Sequence, residues 1–120
     1  MSTTVAQRKR TKGWRKPEGS VCVDRTSRWG NPYKVGRDGE WWTVDQPVGG
    51  TTHWHTKERA LRQAAMSFRL WVRYSDDETA AYIRHHVHEL RGQTLLCWCP
   101  QPGPCHAHVL AEMADREADQ

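Results

Sequence analysis

Apolar positions change their period along the chain, and the changes divide it into elements. Between Ser20 and Asp24 they alternate through Val21 and Val23, which predicts a short strand. After Thr56 the spacing lengthens. Leu61, Ala65, Phe68 and Val72 recur at steps of four, three and four, which places them on one face of a helix. Ser75-Asp76-Asp77-Glu78 has the form of a capping box and opens a second helix with the stripe Ala80, Ile83, Val87 and Leu90, stopped at Gly92. Thr94 to Cys99 is a short apolar strand. Pro100, Pro102, Gly103 and Pro104 make a tight connection, and Cys105 begins a last helix with Val109, Leu110 and Met113 turned inward.

The remaining stretches are read from their turn formers. Residues 1–7 read as a flexible N-terminus and 115–120 as a tail, leaving one domain over 8–114. Arg10 to Gly19 reads as a short strand or arm that ends in the turn Pro17-Glu18-Gly19. Trp29-Gly30-Asn31-Pro32 forces another turn. Gly36, Gly39, Pro47, Gly49 and Gly50, interleaved with Trp41, Trp42 and Trp54, suit a hairpin or a long anchored loop. The fold class that follows is α/β (or α+β), a small sheet with about three helices packed on it.

Composition narrows the chemistry. Only 37% of the 120 residues are hydrophobic, so the core is thin, partly offset by seven tryptophans and a natural beneficiary of a bound metal. No apolar run approaches the roughly 20 residues of a membrane span, and the basic N-terminus lacks the apolar stretch of a signal peptide. A cytoplasmic location is expected, where four cysteines are ligands or reactive thiols before they are disulfides. Charge is uneven. Residues 1–19 carry six basic side chains against Glu18, whereas the whole chain is only +4, so the remainder is slightly acidic. A basic segment of this kind either contacts phosphate or is a solvated arm.

Cys97 and Cys99 are two apart on a strand and present both sulfurs on one side, with Trp98 opposite. The proline-rich turn returns Cys105 and His106 beside that strand end. Cys97, Cys99, Cys105 and His106 are then a complete tetrahedral set for zinc, provided that Cys105 sits in a cap position so that it and His106 face one point. Two alternatives stay open. Cys105, at a helix N-terminus, is a candidate catalytic nucleophile or oxidation-sensitive thiol, and the cysteines are otherwise small buried hydrophobes with His106 as a cap. Cys22 stands alone and belongs to the core. No nucleobase-deaminase signature, P-loop or GxGxxG turn is present. His85 and His88, three apart on the second helix, read as a solvated polar face.

Arg10 to Gly19, Arg28-Trp29-Gly30-Asn31-Pro32-Tyr33, Leu90-Arg91-Gly92, Cys97-Trp98-Cys99-Pro100 and Cys105-His106-Ala107 together resemble a family of actinobacteria and phages, domain of unknown function 4326, over about Val5 to Ala114. The resemblance implies that the basic segment belongs to the domain, which makes Lys12, Arg15 and Arg28 candidates for a phosphate-facing pocket. Two departures bear on the site: Asp24-Arg25 stands where the family usually has a glycine before its arginine, and His108 where it usually has an acidic residue, which argues against His108 as a ligand. The stretch from Trp41 to Trp54 is longer than is typical.

With the Trp29–Pro32 turn near the end of the Cys97 strand, a ligand is expected at the strand's carboxyl end and the following helix N-terminus. Lys12, Arg15, Arg25 and Arg28 would face its phosphate, Asn31 would read a base or ribose and Trp29 would stack, unless that turn only packs upon itself. The function expected is a zinc-binding protein that binds or processes a nucleotide or other phosphate-bearing small molecule. The alternatives are a non-enzymatic nucleic-acid-binding module with structural zinc that uses residues 8–16, or a phage-type protein that binds a host protein through exposed tryptophans.

Overall fold

The computed structural model describes residues 2–99 and 103–117, so the connection expected at Pro100 and Pro102 lies outside the described residues. Strands β1 (Thr4–Gln7), β2 (Ser20–Cys22) and β6 (Thr94–Cys97) form a parallel sheet in the order β1-β6-β2. Strands β3 (Lys34–Asp38), β4 (Trp41–Asp45) and β5 (Thr51–Trp54) form an antiparallel meander. Helices α1 (Lys57–Tyr74), α2 (Glu78–His86) and α3 (His106–Glu117) complete the architecture, with a 3-10 turn at Val87–Leu90. The fold is α+β with two small sheets instead of one. None of the helices, among the described residues, is long and apolar enough to cross a membrane.

The N-terminus corrects the sequence pattern. Thr4–Gln7 is not frayed: Val5 lies in register with Leu95 and Gln7 with Cys97. Thr3 is buried and binds the Asp115 carboxylate through its amide (3.1 Å) and its hydroxyl (2.8 Å), which ties residue 115 of the expected tail into the body. A four-residue strand has almost no periodicity of its own, and its stability comes from the partner strand.

Helix α1 joins the two sheets. Thr56 caps it by accepting from the Arg59 amide at 3.2 Å. Its fully buried stripe is Ala60, Ala64, Phe68 and Val72, one position off the expected line at its start, with Leu61 and Ala65 half-buried beside it. Ala60 and Ala64 pack with Val44 under the meander, where Trp42 and Trp54 add bulk; Phe68 and Val72 enter the main core with Ile83, Leu95 and Leu110. Small residues at the first end let the sheet approach closely, and large ones at the second fill the wider space. The second helix starts two residues later than the capping-box pattern suggests. Asp77 is its cap, accepting from the Thr79 amide at 2.8 Å, while Ser75 closes α1.

Between β2 and β3 the chain makes two tight turns. The Ser27 amide donates to Asp24 O at 3.0 Å and the Gly30 amide to Ser27 O at 3.2 Å. This folds residue 30 against residue 25. A Cβ on Gly30 would stand 2.7 Å from Arg25 Cα and 2.9 Å from Asp24 O, and neither backbone atom can rotate away. Gly30→Ala is therefore expected to destabilise the protein by roughly 1–3 kcal/mol, read as a lower urea midpoint; an unchanged midpoint would mean that the turn is not packed this way.

Candidate metal centre and cavity

All three strands of the parallel sheet point their carboxyl ends the same way. Beyond β1 the Arg8 amide donates to Cys97 O at 2.7 Å, and beyond β2 the Val23 amide donates to Leu96 O at 2.9 Å. Cys97, the last residue of the central strand, is thus flanked by backbone on both sides. The chain then leaves the sheet through Trp98 and Cys99 and returns at Cys105, immediately before the first residue of α3.

Cys105 occupies the cap position that convergence requires. Its sulfur is 3.0 Å from Cys97 Sγ, well beyond the ~2.05 Å of a disulfide. The sulfurs of Cys97, Cys99 and Cys105 all lie within 4.8 Å of one another, close enough to hold one metal ion. His106 Nδ1 is 3.7 Å from Cys105 Sγ, and its Nε2 is 2.5 Å from Val23 O. A carbonyl only accepts, so Nε2 carries the proton and Nδ1 keeps its lone pair. The ring also meets Phe68 edge-on, with centroids 5.2 Å apart. Burial lowers the His106 pKa, against the pull of the Val23 carbonyl, and keeps the imidazole neutral.

The three thiols cannot all ionise together. Contacts from Cys105 and then Cys97 bring Cys99 down to about 3. Cys105 is raised by its contacts with Cys97 and Cys99 and by burial. Cys97 is favoured by Cys105, but Cys99 and burial outweigh that and push it up to about 11. Without a cation the trio therefore holds one thiolate and two protons at neutral pH.

A cavity of about 320 Å³ opens over this cluster. Its wall includes Arg25 and Asn31 from the turn, Tyr33, and the α1 residues Leu61 and Ala64. Arg25 is exposed and, among the described residues, pairs with no acidic side chain. Asn31 clamps the turn to α1: its Oδ1 accepts from the Tyr33 amide at 2.9 Å and its Nδ2 donates to Ala64 O at 3.1 Å. That amide spends its acceptor and one donor inside the fold, so self-packing accounts for it better than base reading.

The other expected ligand contacts are not gathered here. Trp29 is 9% exposed, lies in the main core and packs on Tyr82 at 5.7 Å, so it is not a stacking platform in this cavity. Arg28 lies over the Tyr82 ring at 5.1 Å and lines a shallow hollow with Glu78 on the α2 side. Lys12 and Arg15 are exposed on the loop after β1 and do not line the cavity. Two other residues of the basic segment reach the cavity's edge instead, through the lining residues Asp24 and Trp98. Arg8 forms a close ion pair with buried Asp24, and the guanidinium groups of Arg8 and Arg10 lie 4.4 and 4.5 Å from the Trp98 ring centre. Trp98, expected to face away from the sulfurs, lines the same cavity as they do, because β6 ends at Cys97 and the alternation stops there; Arg8 is hidden in the sequence because β1 has no pattern of its own.

The model of the family described as Domain of unknown function (DUF4326) matches residues 6–116 of the chain. No curated protein and no solved structure matches it.

Asp24 anchors this edge. Burial raises its pKa, but hydrogen bonds from Thr26 (2.5 Å from the hydroxyl) and from Arg8 outweigh burial and hold the carboxyl below its usual range. A lowered folded pKa means stability that is present above the unfolded value of about 3.9 and lost as pH falls below it. Asp24→Asn is expected to cost roughly 1–3 kcal/mol near neutral pH, with the gap to the unaltered protein narrowing below about pH 4. Urea titrations at both pH values check this; a gap independent of pH would remove the carboxylate from the account.

Proposed function

The chain belongs to the DUF4326 family, whose description assigns no activity, and from the geometry of the site we propose that it holds a zinc ion on Cys97, Cys99, Cys105 and His106 and binds a mononucleotide-sized phosphate ester in the adjoining cavity. The observation that carries this is the sulfur triangle; His106, 3.7 Å from Cys105 Sγ with its Nδ1 lone pair kept available by the Nε2 contact to Val23 O, stands outside that 4.8 Å group and would close in as the fourth ligand.

Three soft thiolates and one imidazole suit zinc in tetrahedral geometry. With Zn–S near 2.3 Å and Zn–N near 2.0–2.1 Å, neighbouring ligand atoms stand roughly 3.5–3.8 Å apart. The 3.7 Å from Cys105 Sγ to His106 Nδ1 fits, and the 3.0 Å between Cys97 and Cys105 opens on binding. The carbonyl bond to Nε2 is the outer-shell contact that orients ligating histidines. With His106 as fourth ligand the coordination would be closed, which makes the proposed zinc a structural one that staples the end of β6 to the start of α3. This favours binding over chemistry at the metal and sets aside Cys105 as a nucleophile.

Electrostatics limits the ligand. Zinc with three thiolates leaves about one negative charge, which the unpaired Arg25 offsets. A small ligand with one anionic group and a flat apolar part suits such a balance; a triphosphate does not. The volume is at the small end of ligand pockets, about 300–1,000 Å³. Nucleic-acid binding remains a second proposal, favoured by the exposure of Lys9, Arg10, Lys12, Arg15 and Lys16 along one loop.

Protein purified without chelator is expected to carry about one zinc per chain and to lose thermal stability when the metal is stripped. Rebinding at neutral pH should release about two protons, because one thiolate already exists and the histidine is neutral. Cys99→Ser should retain little zinc. No bound zinc together with freely reacting Cys97, Cys99 and Cys105 would end the metal proposal. Separately, a nucleoside monophosphate should raise the melting temperature of the zinc-loaded protein, an effect that Arg25→Gln weakens. Steep salt-dependent binding of an oligonucleotide without such stabilisation would select the second proposal.

A further inference from the structure

A second cavity, of about 260 Å³, lies between the three helices. Four of its lining residues are arginines: Arg69 and Arg73 from α1, Arg84 from α2 and Arg116 from α3. Its apolar wall is Val72, Val87 and Met113. Arg69 and Arg73 are one helical turn apart, an arrangement that is mildly unfavourable for like charges, and Arg116 adds a third from across the cavity.

Part of this charge is used within the fold. Arg69 donates to Glu112 at 2.5 Å, and Arg116 reaches the other oxygen of the same carboxylate at 3.4 Å. Arg84 donates to Val72 O at 2.6 Å and to Ser75 O at 2.8 Å, closing the exposed carbonyls at the end of α1. Arg73 and Arg84 meet no acidic side chain among the described residues. Helix dipoles explain some of the crowding, since the carboxyl ends of α1 and α3 each offer about half a negative charge. Four guanidinium charges against Glu112 and those two half charges still leave an excess of about two positive charges.

We propose that this cavity is a binding site for a phosphate monoester dianion, its phosphoryl oxygens held by the guanidinium groups and its organic part laid on Val72, Val87 and Met113. A phosphoryl group carries about −1.5 to −2 charges at neutral pH, which matches the excess. Planar guanidinium forks pair two oxygens at once, which suits phosphate better than a point charge would. Arg69 and Arg84 are already oriented by internal hydrogen bonds, so little ordering is needed on binding. A phosphodiester strand carries a single charge per phosphate and gains less from a bounded cavity. The site is separate from the cysteine cluster and does not depend on its metal.

The test uses the full chain as purified, at constant ionic strength, with inorganic phosphate, phenyl phosphate and a short single-stranded oligonucleotide as probes in isothermal titration. Saturable binding of phosphate, tighter for phenyl phosphate, is expected, and it should weaken at least tenfold in Arg73→Gln/Arg116→Gln, whose altered side chains are exposed. The Arg73→Lys/Arg116→Lys variant should recover part of it, and Arg62→Gln, an exposed change outside both cavities, should not change it. A measurement free of substitutions accompanies these: phosphate should protect Arg73 from an arginine-directed dicarbonyl reagent, read by peptide mass. No binding, binding unaffected by the double Gln variant, or binding of the oligonucleotide alone would each overturn the proposal. Binding that survives the double Gln variant but is lost in Arg25→Gln would move the phosphate to the cysteine cavity and so support the previous section while sinking this one.

Discussion

A parallel strand cannot be reached by a tight hairpin, so each neighbour of β6 must cross over and start from the same end of the sheet. The strand order β1-β6-β2 places the last strand along the chain in the middle, between two from the first 22 residues. Their carboxyl ends then meet at one edge whatever the loops do. Arg8 follows β1, Val23 to Arg25 follow β2, and Cys97 to Cys99 follow β6. The carbonyl of Val23 orients His106 because β2 continues to pair past its formal end. The site depends on this pairing before it depends on any side chain.

Charge is then sorted by that architecture. At the carboxyl edge, buried thiols share one proton-free sulfur, and Asp24 is neutralised by Arg8. The result is a cavity close to electrical balance, where one unpaired arginine matters. Between the helices the balance is different: four arginines face one carboxylate. The helical cavity thus carries an excess of positive charge that the cysteine cavity lacks, and the two would hold an anion on different terms. Binding at either place would stabilise the helices that build it, since α1 lines both cavities.

What was legible in the sequence had a local period. Phe68, Val72, Ile83 and Val87 repeat as helices do, and all are buried. The sulfurs of Cys97, Cys99 and Cys105 do come together, but β6 ends at Cys97 and not at Cys99, so Cys99 reaches the group from the bend beyond the strand. What was illegible arises from partners far apart in the chain. Thr4–Gln7 has no pattern until β6 stands beside it. The meander formed where glycines and tryptophans suggested a hairpin or loop, because α1 supplies the small residues Ala60 and Ala64 for it to cover. Trp29 looked like a stacking residue and is core, since the turn stabilised by Asp24 directs it inward. The four arginines come from three helices and share no motif.

The central claim is the coordination of the metal, and zinc K-edge X-ray absorption on protein purified without chelator tests it most directly. The account predicts three sulfur scatterers at about 2.3 Å and one nitrogen at about 2.0–2.1 Å. A shell of oxygen and nitrogen alone, or a nitrogen signal that survives replacement of His106, would contradict it.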